Sequence, residues 1–290
     1  MEEILFTKMH GLGNDYIYIN CLASTPRDLE QLAVEMSRQD TGIGSDGIIL
    51  ICPSDKADFR MRIFNADGSE ARMCGNGSRC VGKYVYDYGL TDKTELTLET
   101  LGGIKKLTLH IGFDGTVDSV TVDMGAPDFR PEAIPVSTAE EKVIGFPVET
   151  SSGVFGLTAV SMGNPHGVIF IDDPAAVDLH SVGPELECHR MWPERANIEF
   201  VRVDTPSHLT MRVWERGSGE TRACGTGACA CVAVATSLGY VDSGREITVT
   251  LPGGDLRIRH DASGHLLMTG PAVTVAEGRY FRRKKNSSTI

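Results

Sequence analysis

The sequence has no long uninterrupted apolar stretch and few aromatic side chains. Aromatic residues make up 7% of its 290 residues, and no apolar run approaches the roughly 20 residues that a membrane-spanning helix needs. The first residues, MEEILF, are acidic and lack the basic and apolar regions of a secretory signal peptide. We therefore expect a cytoplasmic protein, in a compartment where structural disulfides are rare.

Positive charge is also scarce. The chain has 28 Lys and Arg against 39 Asp and Glu, a net charge of −11, which argues against nucleic acids and anionic membranes as partners. Because 41% of the residues are hydrophobic and 23% are charged, the composition is that of a globular protein with one large or two medium domains. A small anionic ligand would need local positive groups, such as helix N-termini and a single arginine.

The eight cysteines do not show the spacing of a metal or redox site. Cys229 and Cys231 stand two positions apart, without a C-x-x-C pair or a nearby pair of histidines. We therefore expect no metal, and we expect most of the thiols to be small buried residues. Nothing in the chain singles out a lysine and a phosphate loop for pyridoxal phosphate, so no cofactor is expected either.

One short segment occurs twice. Cys74 lies in RMCGNGSRC and Cys224 in RACGTGACAC, 150 residues apart, and the flanking Glu, Arg and Gly residues share that offset. Each segment leads into an apolar stretch typical of a helix, over 80–86 and 230–235. The repeat predicts one structural unit used twice, with a cysteine at the same position in each copy.

The position of these two cysteines suits chemistry. Glycines after a cysteine let the backbone approach a ligand closely, and a helix N-terminus supplies unpaired N–H groups and a partial positive charge. Together they form a site for a carboxylate or a phosphate, where a thiol pKa is expected to fall from ~8.5 toward neutrality. Two such thiols predict a pair that faces one ligand from opposite sides.

The rest of the chain repeats one plan of strands and helices. A helix is expected over 26–39 and a shorter one over 178–187, while 95–123 is all strand and turn. We place a domain boundary at 125–127 and interpret the basic residues 282–285 as a solvated tail. The pattern predicts a mixed α/β fold whose halves share one organisation.

Two opposed thiols are suited to inverting a carbon that carries a carboxylate. A thiolate removes the proton from one face while a thiol delivers a proton to the other. If each sulfur lies ~3–3.5 Å from the carbon, the two sulfurs are on the order of 6–7 Å apart. Because a helix dipole supplies at most ~2 kcal/mol per end, fixed N–H donors in a water-excluded site must stabilise most of the developing charge. We therefore expect two domains to close around the ligand.

Six motifs, spread over nearly the whole chain, match a known family. They are KMHGLGNDY (8–16), GIGSDG (42–47), FNADGSEARMCGNGSRC (64–80), MGNPHGV (162–168), ANIEFV (196–201) and WERGSGETRACGTGACA (214–230). With them the sequence resembles the diaminopimelate epimerases, which are cofactor-independent amino acid racemases. The resemblance implies an α+β fold of two pseudo-symmetric domains, 1–124 and 125–271, with a final strand at about 272–282 returning to the first. Each domain would be a barrel-like, mostly antiparallel sheet around a central helix, with the active site in the cleft between them.

The same resemblance implies a reaction and a set of site residues. The reaction would convert LL-2,6-diaminopimelate to the meso form, for lysine and peptidoglycan precursor synthesis. The only partner implied is this small substrate, and a homodimer is one possible assembly. Cys74 and Cys224 would be the acid and base. The amides of Gly75, Asn76, Gly225 and Thr226 would hold the reacting carboxylate, and Asn14, Asn65, Asn164, Asn197 and Arg216 the distal amino acid end. His166 and Glu215 would flank the reacting centre, binding its ammonium group or orienting the thiols.

Other interpretations stay open at this point. A racemase for another amino acid, such as proline, would bind a substrate that has no distal carboxylate for Arg216. A thiol–disulfide redox protein would use the same two cysteines, and a non-catalytic binding protein would need neither. Single residues also have structural alternatives: Arg216 pairing with Glu220, His166 as a satisfied core histidine, Asn164 in a simple turn, and Asn197 capping a strand.

Overall fold

The computed structural model describes residues 1–282, which form eighteen strands and four α-helices. The strands are β1 (Glu2–Gly11), β2 (Asn14–Asn20), β3 (Gly47–Cys52), β4 (Phe59–Asn65), β5 (Glu70–Ala71), β6 (Glu95–Thr100), β7 (Gly103–Ile111), β8 (Val117–Asp123), β9 (Phe146–Thr150), β10 (Gly153–Ser161), β11 (Pro165–Phe170), β12 (Asn197–Thr205), β13 (His208–Glu215), β14 (Gly219–Thr221), β15 (Glu246–Leu251), β16 (Gly254–His260), β17 (Leu266–Pro271) and β18 (Val273–Arg282). The helices are α1 (Leu29–Ser37), α2 (Gly75–Asp87), α3 (Leu179–Glu187) and α4 (Gly225–Ser237). Within these residues, none of the helices combines the length and apolar character needed to cross a membrane.

The contacts of the chain divide it into two compact units. The first unit is Met1–Val120 together with the segment from Pro271 onward, and the second unit is Thr121–Gly270. In the first, β1 and β2 are antiparallel, β2 and β3 parallel, β3 and β4 antiparallel, β4 and β6 parallel, and β6 and β7 antiparallel. In the second, β10 to β13, β15 and β16 repeat this series of pairings in the same order. The mixed α/β fold expected from the sequence is confirmed.

The last strand completes the sheet of the first unit. β18 runs antiparallel to β1 over its whole length, as β9 pairs with β10 in the second unit. Arg282, at the end of β18, is only 8% exposed. Its guanidinium donates to Glu35 Oε2 (3.0 Å) and to the carbonyl of Arg27 (2.6 Å). The interpretation of this arginine as part of a solvated tail is therefore wrong, and residues 283–285 lie outside the described residues.

The helix expected over 26–39 is shorter than predicted. α1 begins at Leu29, because Asp28 adopts a left-handed conformation (φ 50°) that cannot continue a helix. Its apolar face is nevertheless the one that the pattern predicted: Leu32 and Met36 are fully buried against Ile48 and Leu50 of β3. Truncating either of these two helix residues to alanine would cost about 2–5 kcal/mol of stability.

The two helices that follow the cysteines lie within the sheets. α2 packs on β1, β2 and β7, and α4 packs on β10, β11, β12 and β16. In α4 almost every side chain from Cys229 onward is Ala, Val or Cys and is buried. Such a helix is buried on all sides because small side chains allow close approach of the surrounding strands. The N-terminal residues of both helices are thereby placed by rigid elements.

Candidate active-site residues

Both repeated cysteines are helix N-cap residues. Cys74 precedes α2 in extended backbone, and its Sγ accepts a hydrogen bond from the Gly77 amide at 3.3 Å. Cys224 precedes α4 in the same way, and its Sγ accepts from the Gly227 amide at 3.4 Å. Each sulfur therefore occupies the position where a capping oxygen commonly sits, next to N–H groups that the helix itself does not use.

The second glycine of each C-G-x-G segment lies where the first helical turn packs closely against a neighbouring strand. A Cβ at Gly227 would lie 2.7 Å from Glu199 Oε1 and 3.2 Å from the Cys224 sulfur. A Cβ at Gly77 would lie 2.6 Å from the Cδ1 atom of Ile49. The glycine repeat thus reflects close packing of the first helical turn against a strand, in addition to any approach of a ligand.

An ion pair, repeated with the same offset, holds the strand before each cysteine. Arg62 donates from Nε and a terminal nitrogen to Glu70 at 2.7 and 3.1 Å. Arg212 does so to Glu220 at 2.8 and 3.1 Å. Such bidentate pairs fix geometry as well as charge. The alternative in which Arg216 pairs with Glu220 is wrong, because Arg212 occupies that carboxylate.

In the first unit, three of the predicted residues come together. Asn14 Oδ1 accepts hydrogen bonds from the Cys74 thiol (3.4 Å) and from Asn76 Nδ2 (3.2 Å). Asn14 Nδ2 in turn donates to Asp46 Oδ2 at 2.7 Å. Burial raises the pKa of the Asp46 carboxyl. Asp46, which sequence reasoning did not select although it lies in the GIGSDG motif, therefore orients Asn14 toward the cysteine.

Asn65 and Gly75 each lie at the end of an element in the first unit. Asn65 is the last residue of β4, and its Nδ2 donates to Ser69 Oγ at 3.1 Å. Gly75 is the first residue of α2 and is buried. In the second unit, Gly225 takes the same place at the start of α4, and Thr226 Oγ1 lies 3.5 Å from the Cys224 sulfur.

In the second unit, His166 is fully buried and has a partner on each ring nitrogen. Its Nδ1 is 2.7 Å from Glu199 Oε1, and its Nε2 is 3.1 Å from Asn164 Oδ1. Asn164 lies in the turn between β10 and β11, so it serves the turn as well as the histidine. Glu199 was not selected from the sequence, where it stands among apolar residues of ANIEFV.

Asn197 links two of the predicted segments. Its Nδ2 donates to the carbonyl of Pro165 (3.0 Å), and its Oδ1 accepts from the backbone N–H of Arg216 (3.0 Å). Arg216 is exposed, and one terminal nitrogen donates to the carbonyl of Glu194 at 3.1 Å. The following turn is held by buried Glu187, which accepts from the Gly217 amide at 3.0 Å. Sequence reasoning missed this support.

Glu215 lies beside Cys224. It ends β13, accepts a hydrogen bond from the Thr221 hydroxyl, and is within hydrogen-bonding reach of the Cys224 thiol. Burial raises the pKa of the Glu215 carboxyl. Burial also raises the pKa of the Cys224 thiol well above its ordinary value, and the negative charges of Glu215 and Glu199 add to this. The expectation of a lowered thiol pKa is therefore wrong for Cys224, because desolvation outweighs the helix end.

Comparisons with known proteins agree with the motifs. A family model described as diaminopimelate epimerase matches residues 6–130 and 158–275. The diaminopimelate epimerase of Acetivibrio thermocellus is 53% identical over 274 residues, covering 94% of this chain and 97% of that protein. The one from Phocaeicola vulgatus is 55% identical over 277 residues, covering 95% and 97%. Among solved structures, a hydroxyproline epimerase from Agrobacterium vitis has a TM-score of 0.71 at 17% identity, covering 97% of this chain and 91% of that one. That likeness concerns the fold.

Proposed function

This chain belongs to the diaminopimelate epimerase family, and we propose that it acts as an isomerase that converts LL-2,6-diaminopimelate to the meso form. The reaction serves lysine and peptidoglycan precursor synthesis. The observation that carries the proposed mechanism is the pair of cysteines at equivalent N-cap positions of α2 and α4. One thiol for each face of the reacting carbon is what an inversion by two bases needs.

The two cysteines divide the proton transfer. One thiol, as a thiolate, removes the α-proton, and the other donates a proton to the opposite face. In the reverse reaction the roles are exchanged. Acid–base catalysis of this kind contributes about 3–5.5 kcal/mol.

The helix N-termini hold the reacting carboxylate. The amides at the start of α2 and of α4 are those of Gly75, Asn76, Gly225 and Thr226. N–H groups in the first turn of a helix point toward its N-terminal end, where they bind anions, so we assign them to the carboxylate and to the charge that develops when the α-proton leaves. Each helix end adds at most ~2 kcal/mol through its dipole.

The remaining residues recognise the rest of the substrate. Arg216 is exposed, and its backbone is tied to Asn197, which suits a guanidinium that binds the distal carboxylate in a fixed direction. Asn14, Asn65 and Asn164 supply amide groups for the distal ammonium and carboxylate. Glu215 and His166 orient the thiol side of the site, as their contacts with Cys224 and Asn164 suggest.

The substrate assignment is tested by offering several amino acids to the purified, reduced protein. LL-diaminopimelate, L-proline and L-histidine are incubated separately, and the stereoisomers are separated by chiral chromatography. We expect the meso product from diaminopimelate alone. Inversion of proline but not of diaminopimelate would instead identify another racemase and would remove the role of Arg216. The variant Glu185→Gln, at a surface glutamate that binds Ser151, is the control for effects of mutagenesis and purification on activity.

A further inference from the structure

Glu199 is a buried acidic residue to which the proposed reaction gives no direct role. It lies on β12 and has no exposed surface. Burying a charged carboxylate is costly unless it is paired. A carboxylate at such a buried position is therefore expected to have a hydrogen-bonding or charged partner.

The imidazole of His166 is the partner of this carboxylate. His166 is also without exposed surface, and its Nδ1 lies 2.7 Å from Glu199 Oε1. The other carboxylate oxygen, Oε2, is buried and makes no hydrogen bond within residues 1–282. The imidazole bond is therefore what orients the carboxylate, and the carboxylate in turn orients the ring.

The same oxygen also faces the helix turn that carries the thiol. A Cβ at Gly227 would lie 2.7 Å from Glu199 Oε1 and 3.2 Å from the Cys224 sulfur. One carboxylate oxygen thus lies against His166 on one side and against the first turn of α4 on the other. Because Glu199 has no exposed surface, a change at this residue acts through the surroundings of the imidazole and the thiol.

We propose that Glu199 is a positioning residue, whose carboxylate keeps a hydrogen on Nδ1 of His166 and fixes the ring between Asn164 and the carboxylate itself. An ionised carboxylate only accepts hydrogen bonds, so the shared hydrogen belongs to Nδ1. The partner of one ring nitrogen sets the role of the other. A neutral ring with its hydrogen on Nδ1 presents a lone pair at Nε2, so the Asn164 amide turns its Nδ2 group toward this nitrogen and donates to it across the 3.1 Å contact.

The proposal has a spectroscopic consequence. In protein labelled with 15N-histidine, long-range 1H–15N spectra report which ring nitrogen carries the hydrogen, and the variant His166→Gln assigns the signals. We expect a protonated Nδ1 for His166 in the wild type. In Glu199→Gln, which keeps the shape and removes the charge, we expect a mixture of tautomers. A wild-type His166 with its hydrogen on Nε2 alone would overturn the proposal, even if the variant failed to fold.

The kinetic consequence rests on the proposed function. In Glu199→Gln we expect kcat to fall about ten- to a hundredfold, by analogy with the loss of a partner that orients a metal-binding histidine, with KM nearly unchanged. Glu185→Gln should match the wild type in both spectrum and rate. A changed tautomer with unchanged kcat, or a changed rate with an unchanged tautomer, would contradict the positioning role. If the wild type does not act on diaminopimelate, the proposed function fails while the tautomer measurement still tests Glu199.

Discussion

The two helix-turn glycines offer a matched pair of substitutions. Gly227→Ala and Gly77→Ala add the same methyl group at equivalent positions of α4 and α2. Alanine is favoured over glycine in a helix by up to about 0.5–1 kcal/mol, and this gain is similar in both variants. Any difference between them therefore reports on the surroundings of the new methyl group.

Those surroundings differ in how easily they move. At Gly227 the methyl group meets a buried carboxylate oxygen at 2.7 Å and the Cys224 sulfur at 3.2 Å. At Gly77 it meets the flexible tip of Ile49 at 2.6 Å, while the Cys74 sulfur is 3.6 Å away, an ordinary contact. Overpacking a well-ordered site costs about 1–3 kcal/mol. We therefore expect Gly227→Ala to lose about 0.5–2 kcal/mol of stability and Gly77→Ala to stay within about 1 kcal/mol of the wild type.

Urea unfolding and epimerase kinetics measure the two effects. Gly227→Ala displaces both the thiol and Glu199, and a displacement of reacting groups near 1 Å can lower the rate about 10²-fold. We therefore expect its kcat to fall at least about tenfold further than that of Gly77→Ala. Equal losses of stability and activity in the two variants would refute this reasoning. So would a Gly227→Ala protein as stable and active as the wild type.

Three further predictions concern charge and thiol reactivity. The negative charge of Glu215 adds to burial in raising the pKa of the Cys224 thiol. In Glu215→Gln that pKa should fall, and the limb of the kcat/KM profile that this thiol sets should move to lower pH; a move to higher pH would contradict the assigned sign. Arg216→Gln should raise KM for diaminopimelate by at least about tenfold, as loss of a charge-assisted hydrogen bond worth 1.5–3 kcal/mol implies; steady-state kinetics showing an unchanged KM would place the distal carboxylate elsewhere. A hydrogen bond from Cys21 lowers the pKa of Cys52 to about 7. The rate of alkylation of Cys52, measured by peptide mass mapping, should therefore reach half its maximum near that pH. Cys21→Ala should raise this midpoint, and an identical midpoint would show that the two thiols do not interact.

The internal repeat made much of the fold and part of the site predictable. The shared offset of 150 residues predicted a helix after each cysteine, because the same short pattern has the same local physics in both copies. The helices begin at Gly75 and Gly225, five residues before the apolar stretches at 80 and 230. Followed upstream to Arg62 and Arg212, the repeat would also have revealed the two ion pairs. Local spacing carries this information because the paired strands are neighbours in the chain.

The properties that depend on tertiary packing were not predictable. Glu199 binds a histidine 33 residues away, and nothing in ANIEFV distinguishes a buried carboxylate from an exposed one on a strand. The direction of the pKa shift at Cys224 follows from burial and from the carboxylates of Glu199 on β12 and Glu215 on β13. Arg282 resembled a tail residue because its partners, Glu35 and Arg27, lie about 250 positions away in the sequence.

The two-base mechanism is tested most directly by isotope exchange in D₂O. LL-diaminopimelate is incubated with the reduced enzyme to low conversion, and both stereoisomers are recovered and examined by proton NMR. With one thiol for each face, the meso product should carry deuterium at the inverted carbon while recovered LL substrate keeps its protium. Neither Cys74→Ser nor Cys224→Ser should complete the inversion. Equal deuterium in substrate and product, or full activity in either serine variant, would contradict the division of the proton transfer between Cys74 and Cys224.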